Sequence, residues 1–204
     1  MRILDEYINE IEINKSRFIC FLKRIETDED AKEYLKSIRR IHPKATHHCS
    51  AILISDEVQR SSDDGEPAGT AGVPMLEVLR KRKMELIVAV VVRYFGGVML
   101  GAGGLIRAYS KSVSTALDNC TIYDVIMLNS YKILFSYEYI DKIEYLLKEE
   151  LITEKNYDVD VSYSFSSNNI TLINKISEIT NGQAIIEELP SRLIETPIKG
   201  EDND

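Results

Sequence analysis

The segment LIVAVVVRYFGGVMLGAGGLIRAY, residues 86–109, decides the fold of the first half of the chain. Leu86–Val92 is an uninterrupted apolar run bounded by polar residues, which predicts a buried strand. Apolar residues then recur at helical spacing from about Leu105 to Asn119, which predicts a helix. The glycine-richest stretch of the chain lies between these two elements. A strand, a glycine-rich loop and a helix therefore follow one another.

Residues 95–104 form this loop, which we call the glycine cradle, and its candidate binding residues are Gly96, Gly97, Gly101, Gly103 and Gly104. Glycine lets a ligand approach the backbone, and the amides at a helix N-terminus attract anions. The segment lacks the Gly-Lys-Ser/Thr of a P-loop and the GxGxxG spacing of a dinucleotide site. The pattern predicts either an anion or partner contact, or close packing of the loop against the helix.

Two arginines, Arg93 and Arg107, bracket the glycine cradle. A guanidinium donates to phosphate in bidentate fashion, so this pair is typical of phosphate recognition. The alternative is internal ion pairing with carboxylates of the preceding polar loop, Asp63, Asp64 and Glu66. The sequence leaves both alternatives open for the two arginines.

The same three carboxylates, within Asp63–Glu66, have two interpretations of their own. Oxygen ligands at this spacing suit magnesium, or a general acid and base. Acidic loops flanked by glycine and proline are more often turns in which aspartate accepts from backbone amides. We favour the turn and predict neither a metal nor a cofactor.

The tripeptide His47-His48-Cys49 also contains chemistry-bearing side chains. In a strand His47 and Cys49 share a face, as a metal site or a Cys-His nucleophile would need. Few further ligands lie nearby, so we expect packing or partner contact, with Cys49 in the core. The three cysteines of the chain include no CxxC pair and are expected to be reduced.

Around this segment the first half alternates strands and helices. The patterns predict a hairpin of Ile3–Ile13 and Phe18–Ile25, a helix from Thr27 or Asp28 to Ile41, a strand Cys49–Ile54, a long loop Ser55–Gly72 and a helix Val73–Lys83. Two basic clusters, within residues 36–44 and 80–83, are either solvated helix faces or contacts for a phosphate backbone.

From Val125 the order becomes strand, helix, strand, strand, helix, strand, which is typical of a split β-α-β domain. The two helices are predicted at Glu138–Glu150 and Asn168–Asn181, and the last strand at Gln183–Leu189. We place the domain boundary near Tyr123 to Val125 and expect domains of residues 1–124 and 125–204. An acidic, frayed tail is expected from Thr196.

Charge and hydropathy restrict the possible partners. The net charge is −8. Residues 1–124 contain 18 Lys and Arg against 18 Asp and Glu, so the remaining 7 basic and 15 acidic residues make the second half acidic. The longest apolar run has seven residues, far below the roughly 20 of a membrane span. Met1–Asn9 has no secretory pattern, so we expect a cytoplasmic protein.

Three blocks of this sequence resemble the YigZ/IMPACT family: residues 45–51 (ATHHCSA), 63–72 (DDGEPAGTAG) and 93–109, with RYFGG and LGAGGLIRAY. The resemblance implies an α+β first domain with the fold of a ribosomal small-subunit protein, a domain of elongation factor G and the mevalonate and galactose kinases. Those relatives bind RNA or phosphate. The second half resembles the ferredoxin-like domain of bacterial members, which is similar to a C-terminal domain of elongation factor G.

For the eukaryotic branch, the resemblance also implies regulation of translation through the pathway that senses amino-acid starvation. Met99 stands where many members have Lys, which implies a weaker anion site. We therefore expect a non-catalytic regulator that binds the ribosome, RNA or a translation factor, or a small phosphorylated ligand. The alternative is a metal-assisted hydrolase or phosphoryl-transfer enzyme. The candidate site residues are His47, Asp63, Asp64, Glu66, Arg93, Tyr94, Gly96, Gly97, Gly101, Gly103, Gly104 and Arg107.

Overall fold

The computed structural model describes residues 1–198 of the chain, which divide into two compact units. Unit 1 contains Met1–Asp124 and the described residues from Thr196 onward, and unit 2 contains Val125–Glu195. Each unit contains one sheet packed with helices. The α+β class predicted from the sequence is confirmed.

Unit 1 contains a five-stranded antiparallel sheet of order β1-β2-β5-β3-β4. β5 is antiparallel to both β2 and β3, so those two strands are parallel to each other and β2-α1-β3 is a split β-α-β unit. The elements are β1 (Tyr7–Ile13), β2 (Ser16–Arg24), α1 (Asp28–Ile41), β3 (His47–Leu53), β4 (Gln59–Ser62), α2 (Gly72–Lys81), β5 (Ile87–Tyr94) and α3 (Gly101–Asn119).

The central position of β5, between two layers of helices, explains why its sequence is apolar without alternation. Ala89 and Val91 belong to a core that includes Tyr109 and Val113 of α3 and residues of α2. Val88, Val90 and Val92 face the other way, into a core with Tyr34 and Ile38 of α1. Helices thus cover both faces of the sheet, and both faces of β5 must be apolar.

Two boundaries in unit 1 differ from the prediction. β1 begins at Tyr7 rather than Ile3, because Arg2 forms a two-way backbone bridge with Tyr123 and Ile3 is buried in the core. The predicted loop Ser55–Gly72 contains a short edge strand, β4, which pairs with β3. β4 is polar throughout, so it has no hydrophobic alternation that could reveal it.

Unit 2 has the predicted order of strands and helices, and its sheet order is β7-β8-β6-β9. With its strands numbered along the chain this order is 2-3-1-4, the ferredoxin-like arrangement. One core, with Phe135, Tyr163, Phe165, Ile143 and Ile176, joins strands and helices. The elements are β6 (Tyr123–Phe135), a 3-10 turn (Tyr137–Tyr139), α4 (Ile140–Leu147), β7 (Leu151–Tyr157), β8 (Val161–Ser167), α5 (Ile170–Ile179) and β9 (Ile185–Pro197).

The prediction of a frayed tail from Thr196 is wrong for its first residues. Thr196 and Pro197 belong to β9, and Ile198 donates a backbone hydrogen bond to Ile122 at 2.8 Å. Residues 199–204 lie outside the described chain. Within residues 1–198, none of the helices is both long and apolar enough to cross a membrane.

Candidate functional site

A buried ion pair forms the centre of the candidate site. Arg93, near the end of β5, donates from Nη1 to Oε1 of Glu66 at 2.6 Å, and the two side chains are 6% and 3% exposed. The hydroxyl of Tyr109 donates to the same oxygen at 2.8 Å. Burial of Tyr109 raises the pKa of its phenol, which keeps it a donor. Of the two alternatives predicted for Arg93, the structure therefore supports internal ion pairing.

His47 lies beside this pair, because its position in β3 is directly opposite Arg93 in the sheet register. Its Nδ1 lies 2.8 Å from the carbonyl oxygen of Asp64, and its Nε2 lies 3.8 Å from Oε1 of Glu66. The ring therefore connects the acidic loop to the ion pair. Gly65, at φ +87°, lies against this ring.

Asp63 acts as a cap for α2, whose own N-cap residue is an alanine. Its carboxylate accepts from the amides of Gly69, Ala71 and Gly72 at 2.8, 3.0 and 2.8 Å. Partial burial raises the pKa of Asp63, but these three amides outweigh it and the pKa is lowered. The turn interpretation of the acidic loop describes Asp63 well.

Asp64 ties the loop to the other face of the sheet. Its carboxylate accepts from Arg39 of α1 at 2.5 Å and from the amide of His48 at 2.6 Å. Partial burial raises the pKa of Asp64, but Arg39 and the His48 amide lower it by more, so the pKa lies below its ordinary value. All three loop carboxylates thus accept from protein donors. No group of three or more His, Cys, Asp or Glu suited to a metal occurs in the described residues.

Cys49 is fully buried, as expected from the sequence. Its Sγ lies 2.9 Å from the carbonyl oxygen of Asp63 and 3.3 Å from the hydroxyl of Tyr109. Burial raises the pKa of Cys49 to about 12, so the thiol stays protonated at neutral pH. This environment does not suit a nucleophile.

Tyr94 lies apart from the other candidate residues. Alternation along β5 puts it on the α1 face of the sheet, where its hydroxyl contacts Nδ1 of His42 at 2.9 Å and Arg17 lies over its ring. The predicted strand ends at Val92, so the sequence prediction does not place Tyr94 on either face of the sheet.

The glycines of the cradle do different things. A Cβ added to Gly96 would lie 2.0 Å from the carbonyl carbon and oxygen of Lys15, so close packing requires glycine there. At Gly104 the nearest neighbour would be Cβ of Leu100, at 3.0 Å. Gly97 and Gly101 have positive φ and would meet nothing within 4 Å.

Arg107 is exposed, and among residues 1–198 it has no ion-pair or hydrogen-bond partner. Its Nη1 would lie 3.6 Å from a Cβ added to Gly103, so the guanidinium lies over the first turn of α3. That turn contains no acidic residue, and no side chain caps it. Free amides, the positive end of the helix dipole and a cation therefore coincide here.

A cavity of about 380 Å³ opens beside this helix end. His47, Glu66 and Arg93 form its polar wall, and its remaining lining is largely apolar. The Nε of Arg93 is buried and has no hydrogen-bond partner in the described chain. The apolar lining includes Pro67, Phe95, Met99, Leu100, Ala102 and Leu105.

The two basic clusters lie on opposite faces of the sheet, since α1 and α2 pack into different cores. In the first, Arg39 binds Asp64, whereas the second contains Arg80 and Arg82, paired with Glu77 and Asp118. They do not form one basic surface.

Tyr109 and Phe95 are absent from the predicted site, and Met99 enters it only through the resemblance, as a residue that weakens an anion site. Tyr109 lies four residues after Leu105, on the buried stripe of α3, and it has a polar hydroxyl. A buried tyrosine needs a hydrogen-bond partner, and this signal in the sequence could have identified Tyr109. Phe95 and Met99 belong to the cradle, but their role depends on the shape of the cavity, which the sequence does not contain.

Comparison with known proteins identifies the family. The family model described as "Impact N-terminal domain" matches residues 14–117. IMPACT family member YvyE of Bacillus subtilis (strain 168) is 44% identical over 187 residues, covering 88% of this chain and 86% of that protein. IMPACT family member YigZ of Escherichia coli (strain K12) is 46% identical over 130 residues, covering 62% and 64%.

Among solved structures, a crystal structure described as that of a hypothetical protein is 35% identical with a TM-score of 0.56, covering 91% of this chain and 94% of that one. A structure of the two-domain translational regulator Yih1 is 25% identical over 55% of this chain and 45% of that one. Its TM-score of 0.33 is too low to carry a conclusion. The family model and the relatives agree with the three sequence blocks, and this chain belongs to the IMPACT family.

Proposed function

We propose that this protein is a non-catalytic cytoplasmic regulator that binds a component of the translation machinery, namely the ribosome, RNA or a translation factor. In this proposal unit 1 contains the Impact N-terminal-like domain expected at residues 1–124, and unit 2, Val125–Glu195, is the ferredoxin-like domain, shorter than the expected 125–204. The link to translation rests on family membership and on what the family resemblance implies for its eukaryotic branch.

One observation carries the choice of binding surface: the unpartnered Arg107 lies over the uncapped first turn of α3, beside a preformed cavity. Lys15 is a further exposed cation without a partner in the described chain, and its backbone packs against Gly96 of the cradle. Arg107 and Lys15 favour contact with an anionic partner.

Binding is favoured over catalysis by the state of the polar groups. A metal-assisted hydrolase needs carboxylates with free lone pairs, whereas Asp63, Asp64 and Glu66 accept from amides, arginines and a tyrosine. A thiol mechanism needs a thiolate, whereas Cys49 is buried with a raised pKa. The polar groups of the cavity wall are hydrogen-bonded to one another, whereas exposed Arg107 has no partner in the described chain.

The test is sedimentation of the purified protein with ribosomes and with bare ribosomal RNA across a salt series. We expect co-sedimentation that weakens as salt rises, because contacts with phosphate or with acidic groups are screened. Arg107→Ala should reduce it. The matched control is Lys175→Ala, which removes from helix α5 of unit 2 an exposed cation that has no partner within residues 1–198. Absence of binding at every salt concentration would contradict the ribosome and RNA as partners, and equal loss in both variants would contradict Arg107 as part of the contact surface.

A further inference from the structure

The rim of the cavity and the surface next to it are apolar as well as charged. Phe95 and Met99 line the cavity and are 49% and 89% exposed, and Val98 and Ile106, their neighbours in the cradle and the start of α3, are 40% and 42% exposed. Clustered exposure of large apolar side chains marks a surface that another molecule covers. Methionine in particular adapts its shape to different partners. This rim suits the side chains of another protein.

The interior of the cavity suits an apolar group. Pro67, Leu100 and Leu105 contribute to its lining, and Leu105 is 5% exposed. At about 380 Å³ the space is large enough for one bulky side chain to be desolvated there. An apolar side chain that enters it would be stabilised by the loss of its hydrated surface.

The charge beside this space is positive. Gly101 and Ala102 of the first turn of α3 line the cavity, Arg107 lies over Gly103 in the same turn, and the turn contains no acidic residue. Within the wall, the 5% exposed Arg93 has an Nε that no described residue uses. A carboxylate at the mouth would compensate the free guanidinium and the helix dipole.

A nucleic-acid strand suits the site less well. Recognition of single-stranded RNA commonly uses open aromatic faces and rows of cations. Here Phe95 is the aromatic ring that lines the cavity, and the guanidinium of Arg93 lies 5.5 Å from its centroid. Glu66 also brings a carboxylate into the wall, which would repel a phosphate that entered the cavity.

We infer that the cavity between the acidic loop and α3 binds a protein segment in which an apolar side chain lies next to a carboxylate. The apolar side chain fills the cavity, and the carboxylate binds Arg107 and the first-turn amides of α3. This inference rests on the proposed function and names the chemistry of the partner at that surface.

The experiment follows backbone amide signals of the full-length protein by NMR during titration with small probes. N-acetylleucine contains both the apolar side chain and the carboxylate. N-acetylleucinamide lacks the carboxylate, and N-acetylglycine lacks the side chain. We expect N-acetylleucine to shift the signals of Gly101, Gly103 and Gly104. Each of the other two should bind about fivefold more weakly or worse, since each loses one of two modest contacts.

Inorganic phosphate and oligouridylate are titrated in parallel. If either shifts the same signals with equal or tighter binding, the site is a phosphate site and the inference is overturned. Equal binding of N-acetylleucine and N-acetylleucinamide would also overturn it, because Arg107 would then contribute nothing. In Arg107→Ala we expect about a fivefold loss of N-acetylleucine binding. Lys175→Ala should bind as the wild type does.

The two proposals fail in different ways. A protein that co-sediments with ribosomes but shows no shift with N-acetylleucine retains the proposed function and loses this inference. A protein that binds N-acetylleucine at the cradle but never sediments with ribosomes or ribosomal RNA loses the expected ribosomal partner and keeps the site.

Discussion

The guanidinium of Arg93 and the carboxylate of Glu66 form a hydrogen-bonded ion pair that is almost fully shielded from water. The two residues are 27 positions apart in the chain, and the pair joins the acidic loop to the central strand. A buried pair contributes little relative to an apolar replacement, but it is costly to break. The pair therefore makes the position of the loop depend on both residues.

Glu66→Ala should destabilise unit 1 by about 3–5 kcal/mol, because it leaves the Arg93 guanidinium buried without its counter-charge. Urea unfolding measures the change. The control is Glu77→Ala, which removes an exposed i,i+3 partner of Arg80 and should change stability little. The double variant Glu66→Leu with Arg93→Met should recover much of the loss. Equal destabilisation by Glu66→Ala and Glu77→Ala would show that the pair is not buried in solution.

Gly96→Ala and Gly97→Ala separate packing from backbone conformation in the cradle. A Cβ at Gly96 would overlap the backbone of Lys15, so we expect a loss of about 3 kcal/mol or more. A Cβ at Gly97 would meet open space, but φ is +82°, so we expect about 1–2 kcal/mol. The difference between the two urea midpoints tests this order. If Gly97→Ala were the more damaging substitution, the turn between β1 and β2, which contains Lys15, would not contact Gly96.

Asp63→Ala should cost about 1–2 kcal/mol at neutral pH, because it removes the acceptor for the N-terminal amides of α2. The folded-state pKa of Asp63 lies below its ordinary value of 3.8. The carboxylate therefore contributes its full stability above that value, and the contribution is lost as pH falls through the lowered pKa.

The stability difference between wild type and Asp63→Ala should accordingly shrink below pH 3.8. Urea midpoints measured from neutral to acidic pH give this difference directly. A difference that grows on acidification would mean that the pKa of Asp63 is raised rather than lowered, and that burial outweighs the three amides.

Local patterns were sufficient for the elements that carry their own signals. The helix predicted from Thr27 or Asp28 is α1, and Thr27 caps it in a capping box in which Thr27 and Asp30 each accept from the other's backbone amide. The apolar run Leu86–Val92 predicted a buried strand, and β5 is buried because helices cover both of its faces. Both inferences needed only neighbouring residues.

Features set by distant contacts were beyond the sequence. Arg93 and Arg107 carry the same group on either side of one loop, yet Arg93 is buried against Glu66 and Arg107 is exposed without a partner in residues 1–198. Strand register and helix packing decide this difference. β4 was missed for a related reason, since a polar edge strand is defined by its pairing with β3 and not by its composition.

The cysteines provide a test of the non-catalytic interpretation. Cys20 and Cys49 are fully buried and Cys120 is partly exposed, and burial raises the pKa of all three thiols. In the folded protein we expect a disulfide reagent such as Ellman's to modify one thiol slowly at mildly alkaline pH. In denaturant it should modify all three.

Cys120→Ser identifies the reacting thiol, because the folded variant should then show almost no modification. A rapidly reacting thiol in folded Cys120→Ser would contradict the burial of Cys49 and would reopen a Cys-His mechanism. The structure argues that folded Cys120→Ser will show almost no modification. The hydrogen-bond contacts of the Cys49 Sγ within the described residues are to the Asp63 carbonyl and the Tyr109 hydroxyl, while Nδ1 of His47 contacts the carbonyl oxygen of Asp64. The thiol is therefore not hydrogen-bonded to the base that a Cys-His mechanism requires.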